Sequence, residues 1–168
     1  MNKQAQSFQQ AVDVKTEKTA LLPNSLQNPA LETFCEFLKS INDTTYIENE
    51  IASVYAENAY LNDTLKTLQS RDEIKEHFIK TSNAMTGYEV EITDIAASSK
   101  GYYIRWDMQF TAPKLSGGKN IHTIGMTYAQ FNADGKVILH QDFWDSTEGF
   151  FSHIPVLRSG IKMIKSRL

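Results

Sequence analysis

The hydrophobic period of this chain changes near Tyr88, and that change restricts the fold more than any motif. Before it, apolar residues recur three and four apart. After it, they alternate. Tyr102, Ile104, Trp106, Met108 and Phe110 share one side of a run whose other side is Tyr103, Arg105, Asp107 and Gln109. A period of two is that of a strand with one buried face. Val90, Ile92 and, less cleanly, Asp94 oppose Glu89, Glu91 and Thr93 in a strand that ends at Ser98-Ser99-Lys100-Gly101. Pro113 to Gly118 reads as a loop and Ile121 to Phe131 as a strand. Asn132 to Gly135 is a tight turn with the Asp-Gly signal, and Val137 to Asp145 is the last strand.

The helical half is equally patterned. Asn28 is a good N-cap and Pro29 suits the first helical position. Leu31, Phe34, Leu38 and Ile41 follow at helical spacing, with Phe37 widening the stripe. Asn42-Asp43 ends this helix. A second runs from about Thr45, with Ile47, Ile51 and Val54 on one face. Asn58 to Asp63 reads as a short strand. Ser70 and Glu73 form a capping box before a helix that turns Ile74 and Phe78 inward and stops near Gly87. Helices followed by a strand meander predict an α+β domain. The expected form is a cone-shaped α+β barrel: a curved antiparallel sheet covered by the N-terminal helices, with a cavity between the layers.

Both ends differ from this domain, which spans 28–150. Residues 1–27 are rich in Gln, Lys and Thr and read as a flexible tail, with Leu21 and Leu22 able to touch the domain. Residues 151–168 read as an amphipathic basic helix with Pro155 near its start. Ile154, Leu157, Ile161, Ile164 and Leu168 form one stripe, and Arg158, Lys162 and Lys165 a basic neighbour. It is expected to dock on the domain or pair with another chain before lying on an anionic membrane surface.

The mild net charge of −3 over 168 residues does not point to a nucleic-acid surface, and no nucleic-acid partner is expected. Cys35 is the single cysteine and forms no internal disulfide, which suits a reducing compartment. No apolar run is long enough to span a bilayer, and the first residues lack the apolar core of a signal peptide, so the cytoplasm is the expected location.

The last strand is where chemistry is expected. It reads V-I-L-H-Q-D-F-W-D, with three ionisable residues where a core strand would have none. A buried charge is costly unless it is paired. Strand parity turns His140, Asp142 and Trp144 one way and Asp145 the other. That face either lines the cavity or closes its mouth as a polar pair. Asp145 is expected to make hydrogen bonds at the strand end.

Val54 to Phe78, V-Y-A-E-N-A-Y-L-N-D-T-L-K-T-L-Q-S-R-D-E-I-K-E-H-F, resembles the strand and helix signature of the nuclear transport factor 2-like superfamily, especially its SnoaL-like members. The closing H-Q-D-F-W-D is similar to the family's last strand. The resemblance covers about 29–149. It implies the cone fold, but the fold hosts isomerases, cyclases, a dehydratase, an epoxide hydrolase and non-catalytic binders. Asp63 falls where ketosteroid isomerases have their general base and limonene-epoxide hydrolase a water-holding Asn. Asp142 falls where that hydrolase and the SnoaL-like cyclases have a catalytic Asp. Arg105-x-Asp107 resembles the hydrolase's Arg-x-Asp pair, though the strand parity turns Trp106 inward instead. Leu61 stands where the hydrolase has a Tyr. Thr127 stands near the isomerase's protonated Asp, and the first helix offers Phe34, Cys35 and Phe37 in place of a Tyr.

Two functions of different class follow. The first is a cofactor-free isomerase, cyclase or lyase, or epoxide hydrolase, with Asp63 and Asp142 as acid–base groups and His140 in support. Burial in an apolar pocket would raise such a carboxyl towards neutral pH. The second is a binding or interaction module without chemistry. In either, Trp106, Trp144, Tyr60, Phe34 and Met108 are expected to line a pocket for a small hydrophobic molecule. Asp63 has a plainer alternative as the cap of the turn at Thr64. Arg105 and Asp107 are expected to form a surface ion pair or to lie in a homodimer interface. His77 and His122 show no metal-ligand spacing, and neither a metal nor a cofactor is expected.

Overall fold

The structure is a computed structural model and describes residues 3–18 and 26–167. Helices α1 (Lys3–Lys18), α2 (Pro29–Lys39) and α3 (Thr44–Val54) come first. Strands β1 (Tyr55–Asn62) and β2 (Thr67–Leu68) and helix α4 (Arg71–Ala84) follow. Then come β3 (Thr86–Ala97), β4 (Tyr102–Thr111), the short α5 (Pro113–Ser116), β5 (Asn120–Phe131) and β6 (Val137–Trp144). The chain continues through α6 (Ser146–Gly149), a 3₁₀ turn (Phe151–His153) and α7 (Pro155–Lys165). The six strands form one curved, unclosed sheet in the order β2-β1-β6-β5-β4-β3. β3 to β6 are an antiparallel meander, and β1 enters parallel to β6.

The helix starts follow their caps. Asn28 accepts from Ala30 N, Asp43 from Tyr46 N, and Ser70 from Glu73 N at 3.2 Å, while Glu73 reaches back to Gln69 N at 2.7 Å. α2, α3 and α4 press Leu31, Phe34, Phe37, Ile47, Ile51 and Ile74 onto the concave face of the sheet. There they meet Tyr55, Leu61, Tyr102, Ile104, Phe131 and Val137. Each fully buried side chain of this size contributes roughly 1.5–3 kcal/mol, so this cluster holds the helices to the sheet. Cys35 belongs to it, and burial pushes its thiol up to about 11.

Four expectations change. Asp94 does not share the Val90 and Ile92 face. A register shift between Ile92 and Asp94 turns Asp94 outward and Ile95 onto the core, as a bulge does by adding one residue to a strand. Phe34 lies fully in the core and has no surface for a ligand. Tyr60 packs on the opposite face of the sheet with Tyr128 and Leu139. Part of the tail is helical: in α1, Phe8, Ala11 and Val12 recur at helical spacing and cover that Tyr60 cluster. Phe8 meets Tyr128 and Phe143 edge-on, and Lys15 Nζ donates to Asn58 O. Leu21, Leu22 and Leu168 lie outside the described residues.

α7 carries the expected amphipathic stripe, with Leu157 and Ile164 exposed and Ile154 and Ile161 half-buried. Lys165 Nζ is joined to Glu148. Among the described residues, no helix is long and apolar enough to cross a membrane.

Candidate functional site

One face of β4 serves two purposes along its length. Tyr102 and Ile104 belong to the core, whereas Trp106, Met108 and Phe110 line a cavity of about 710 Å³. That volume is in the range of small-molecule sites. α4 provides another wall with His77, Phe78, Thr81 and Ala84, which recur at i, i+1, i+4 and i+7. Tyr88, Trp144, Phe150 and Phe151 add aromatic surface. The lining is predominantly apolar.

β6 brings its ionisable residues to this cavity by strand parity. His140, Asp142 and Trp144 all line it. Asp145 turns away and caps α6, accepting from Thr147 N and Glu148 N. Thr127 of β5 is directly opposite Asp142 in the ladder. Its Oγ1 donates to Asp142 Oδ1 at 2.6 Å and accepts from Trp106 Nε1 at 3.0 Å. His140 Nε2 lies 2.8 Å from the same Asp142 Oδ1, and His140 Nδ1 lies 2.8 Å from the Tyr55 hydroxyl.

The direction of that chain follows from Tyr55. Burial, then the charge of Asp142, holds its phenol well above the ordinary range, so it stays a hydroxyl. Tyr55 donates to Nδ1, which leaves the Nε2 proton of His140 to point at Asp142. The imidazole is only 2% exposed, with Phe34 edge-on at 5.4 Å and Tyr55 stacked at 6.2 Å. Asp142 is therefore gripped at Oδ1 by two donors, and among the described residues Oδ2 makes no hydrogen bond.

Two glycines make room for the tryptophans. A Cβ on Gly125 would lie 2.3 Å from Trp106 Cη2, and one on Gly149 would lie 2.5 Å from Trp144 Cζ3. Trp144 Nε1 donates to the backbone carbonyl of Asp63 at 2.8 Å, tying the end of β6 to the end of β1.

Asp63 lines the same cavity in a different state. Its Oδ1 accepts from Leu65 N at 2.9 Å and Lys66 N at 2.6 Å, and Oδ2 accepts from His77 Nε2 at 2.8 Å. Burial would raise this carboxyl, but the bond from His77, then those from the Lys66 and Leu65 backbone, hold it below its ordinary value. The expected upward shift is thus reversed, because the turn supplies donors to both oxygens. The turn itself is strained: Thr64 has φ of 73°, a region β-branched residues avoid, and Asn62 Oδ1 accepts from its N–H at 2.9 Å.

Of the expected site residues, the structure brings Asp63, His140, Asp142, Trp106, Trp144 and Met108 to one cavity, and leaves Tyr60 and Phe34 elsewhere. Sequence reasoning missed Tyr55 and His77. Tyr55 gives no periodic signal because it caps the C-terminus of α3, and His77 meets Asp63 only through the α4–β1 packing. Arg105 and Asp107 form no ion pair with each other. Asp107 instead pairs with His122 at 2.7 Å across the β4–β5 ladder, away from the cavity. Among the described residues, no group of three or more His, Cys, Asp or Glu could hold a metal ion.

The model of the SnoaL-like domain family matches residues 36–140, more than half of the chain. The chain belongs to the SnoaL-like family. A search of curated proteins finds no match. Among solved structures, a candidate polyketide cyclase from Acidithiobacillus ferrooxidans is similar, with 17% identity and a TM-score of 0.62, over 74% of this chain and 94% of that one. A candidate SnoaL-like polyketide cyclase from Jannaschia has 11% identity and a TM-score of 0.62, over 75% and 92%. An LEH-like epoxide hydrolase from M. tuberculosis has 12% identity and a TM-score of 0.59, over 82% and 96%. At these identities the likeness is one of fold, and it agrees with the SnoaL-like assignment.

Proposed function

We propose that this SnoaL-like protein is a cofactor-free acid–base catalyst that moves a proton at carbon in a small hydrophobic molecule, as in ring closure or isomerisation. The observation that carries this reading is Asp142: one oxygen is pinned by His140 and Thr127, and the other, beside an apolar cavity, makes no hydrogen bond among the described residues. A general base needs that rigidity, because proton transfer depends on reach and orientation before anything else.

In the proposed reaction, Oδ2 of ionised Asp142 takes a proton from a carbon next to a carbonyl. The electron pair of that C–H bond moves into an enolate. The enolate then either attacks a second carbonyl of the same molecule or takes the proton back at another carbon, and the carboxyl returns its proton to complete the cycle. His140 and Thr127 keep Oδ1 in place throughout, and Tyr55 keeps the imidazole in the tautomer that can donate. Trp106 and Trp144 supply flat walls for a planar substrate. Asp63 is a positioning group here, since His77 and the turn already occupy its oxygens.

The geometry favours this over epoxide opening. The Arg-x-Asp pair that the hydrolase resemblance needs lies away from the cavity, and Leu61 is in the core. The test is turnover of panels of cyclic epoxides, enones and linear poly-β-ketones by wild type and Asp142→Asn. Turnover of a carbonyl substrate that the substitution lowers by about 10²–10⁴-fold, the range for removing a general base, is the expected result. Equal turnover by both proteins removes Asp142 from the mechanism. Binding without turnover by wild type favours the ligand-binding module.

A further inference from the structure

The mouth of the cavity carries a charge pattern that the proposed reaction does not use. Lys66 on the β1–β2 turn, Lys80 on α4 and Lys114 on α5 all line it, from three separate segments. All three are exposed, and none forms an ion pair among the described residues. Elsewhere Lys39 meets Glu36 at 2.7 Å and Lys165 is joined to Glu148, Lys15 and Lys136 donate to backbone carbonyls, and Lys75, Lys100 and Lys119 also form no ion pair among the described residues; what sets Lys66, Lys80 and Lys114 apart is that they surround one apolar cavity. Among the described residues, only two carboxylates line the cavity. Asp63 is engaged by His77 and the backbone, and Asp142 lies deeper, with its side chain 17% exposed and bonded to His140. A chain of net charge −3 thus turns three unpaired cations to the opening of an apolar cavity.

We propose that the site selects an amphiphilic anion. The apolar body enters between Trp106 and Trp144, and a carboxylate or phosphate head group stays at the mouth against Lys66, Lys80 and Lys114. Ammonium groups are strong donors to both kinds of anion and can remain hydrated while they bind. An anion held there also orients the molecule, with its uncharged end towards Asp142. This deepens the proposed function and rests on the cavity being a ligand site.

The chain's two tryptophans both line the cavity, so intrinsic fluorescence reports occupancy directly. Octanoate, octyl phosphate and octan-1-ol share an apolar tail and differ in head group. Wild type is expected to bind at least one of the two anions about tenfold more tightly than the alcohol, as three exposed pairs of modest strength would give. That preference should shrink with added salt. The triple variant K66Q/K80Q/K114Q is expected to lose the preference while keeping its affinity for octan-1-ol, which also shows that the cavity has stayed folded. The better of octanoate and octyl phosphate identifies the head group. Equal binding of all three by wild type, or a preference that survives in the triple variant, overturns the inference and leaves the proposed function intact. Failure of all three to bind overturns both.

Discussion

Two aspartate–histidine pairs line the same cavity, and they are not equivalent. Asp142 and His140 belong to one strand, two residues apart, and Asp142 keeps an oxygen free. Asp63 and His77 come from a strand end and a helix, and every oxygen of Asp63 is taken. Residue type and proximity are the same. What differs is the number of donors the surrounding backbone contributes. Strand β6 spends its amides on the ladder and gives Asp142 side-chain donors only. The tight turn after β1 has spare amides, and Asp63 absorbs them. A carboxylate satisfied in this way stabilises structure, whereas a half-satisfied one is available for chemistry.

The sharpest way to break this contrast is a matched pair of substitutions. Asp142→Asn is expected to lower turnover by about 10²–10⁴-fold with little change in melting temperature. Asp63→Ala is expected to leave a larger share of activity but to cost about 1–3 kcal/mol of stability, because two turn amides and His77 lose their acceptor. Thermal melts and turnover measured on both proteins decide it. Reversal of the two profiles would exchange the roles of the pairs.

Gly125→Ala probes how the free carboxylate is held. The new methyl would sit 2.3 Å from Trp106 Cη2. The indole must move, and its bond to Thr127 is lost with it. Overpacking of this kind costs about 1–3 kcal/mol, read by denaturant unfolding. Activity should fall as well, since Thr127 loses the donor that orients its hydroxyl. Tyr55→Phe is a milder change on the other side of Asp142. It leaves His140 Nδ1 without its donor and should lower turnover by about tenfold, as the loss of one buried hydrogen bond would.

The smallest expected effect is on pH dependence. Asp63 is held below its ordinary value of 3.8. A carboxyl depressed in the folded state contributes stability that is present above the unfolded value and is lost as pH falls through the folded one. The difference in melting temperature between wild type and Asp63→Asn should therefore persist at neutral pH and shrink below about pH 4. A difference that grows on acidification would contradict the assigned direction.

Much of the fold was legible because it depends on local pattern. The caps at Asn28 and Ser70, the helical stripes of α2 to α4 and the strict alternation from Tyr102 to Phe110 each reflect one element burying one face. The same parity placed His140, Asp142 and Trp144 on one side and Asp145 on the other. Pattern was less informative where burial alternated with nothing else to distinguish its two faces. Tyr60 and Phe34 are as aromatic as Trp106, yet one packs under α1 and the other fills the core. α1 was hidden for a related reason: Phe8, Ala11 and Val12 make too thin a stripe to stand out until the Tyr60 cluster gives them something to cover.

The sequence by itself determined which residues share a face, since backbone periods of 3.6 and 2 are properties of local geometry. It also placed an Asp on the inner face of the last strand. Only the tertiary structure decided what that Asp could do. Tyr55, Thr127 and His140 come from three different strands, and Asp63 meets His77 across a helix packing. The spacing of His140 and Asp142 could be read, but Tyr55, Thr127 and His77 lie too far along the chain from the carboxylates they serve to leave one, and it is the number of donors at each oxygen that separates the half-satisfied Asp142 from the satisfied Asp63.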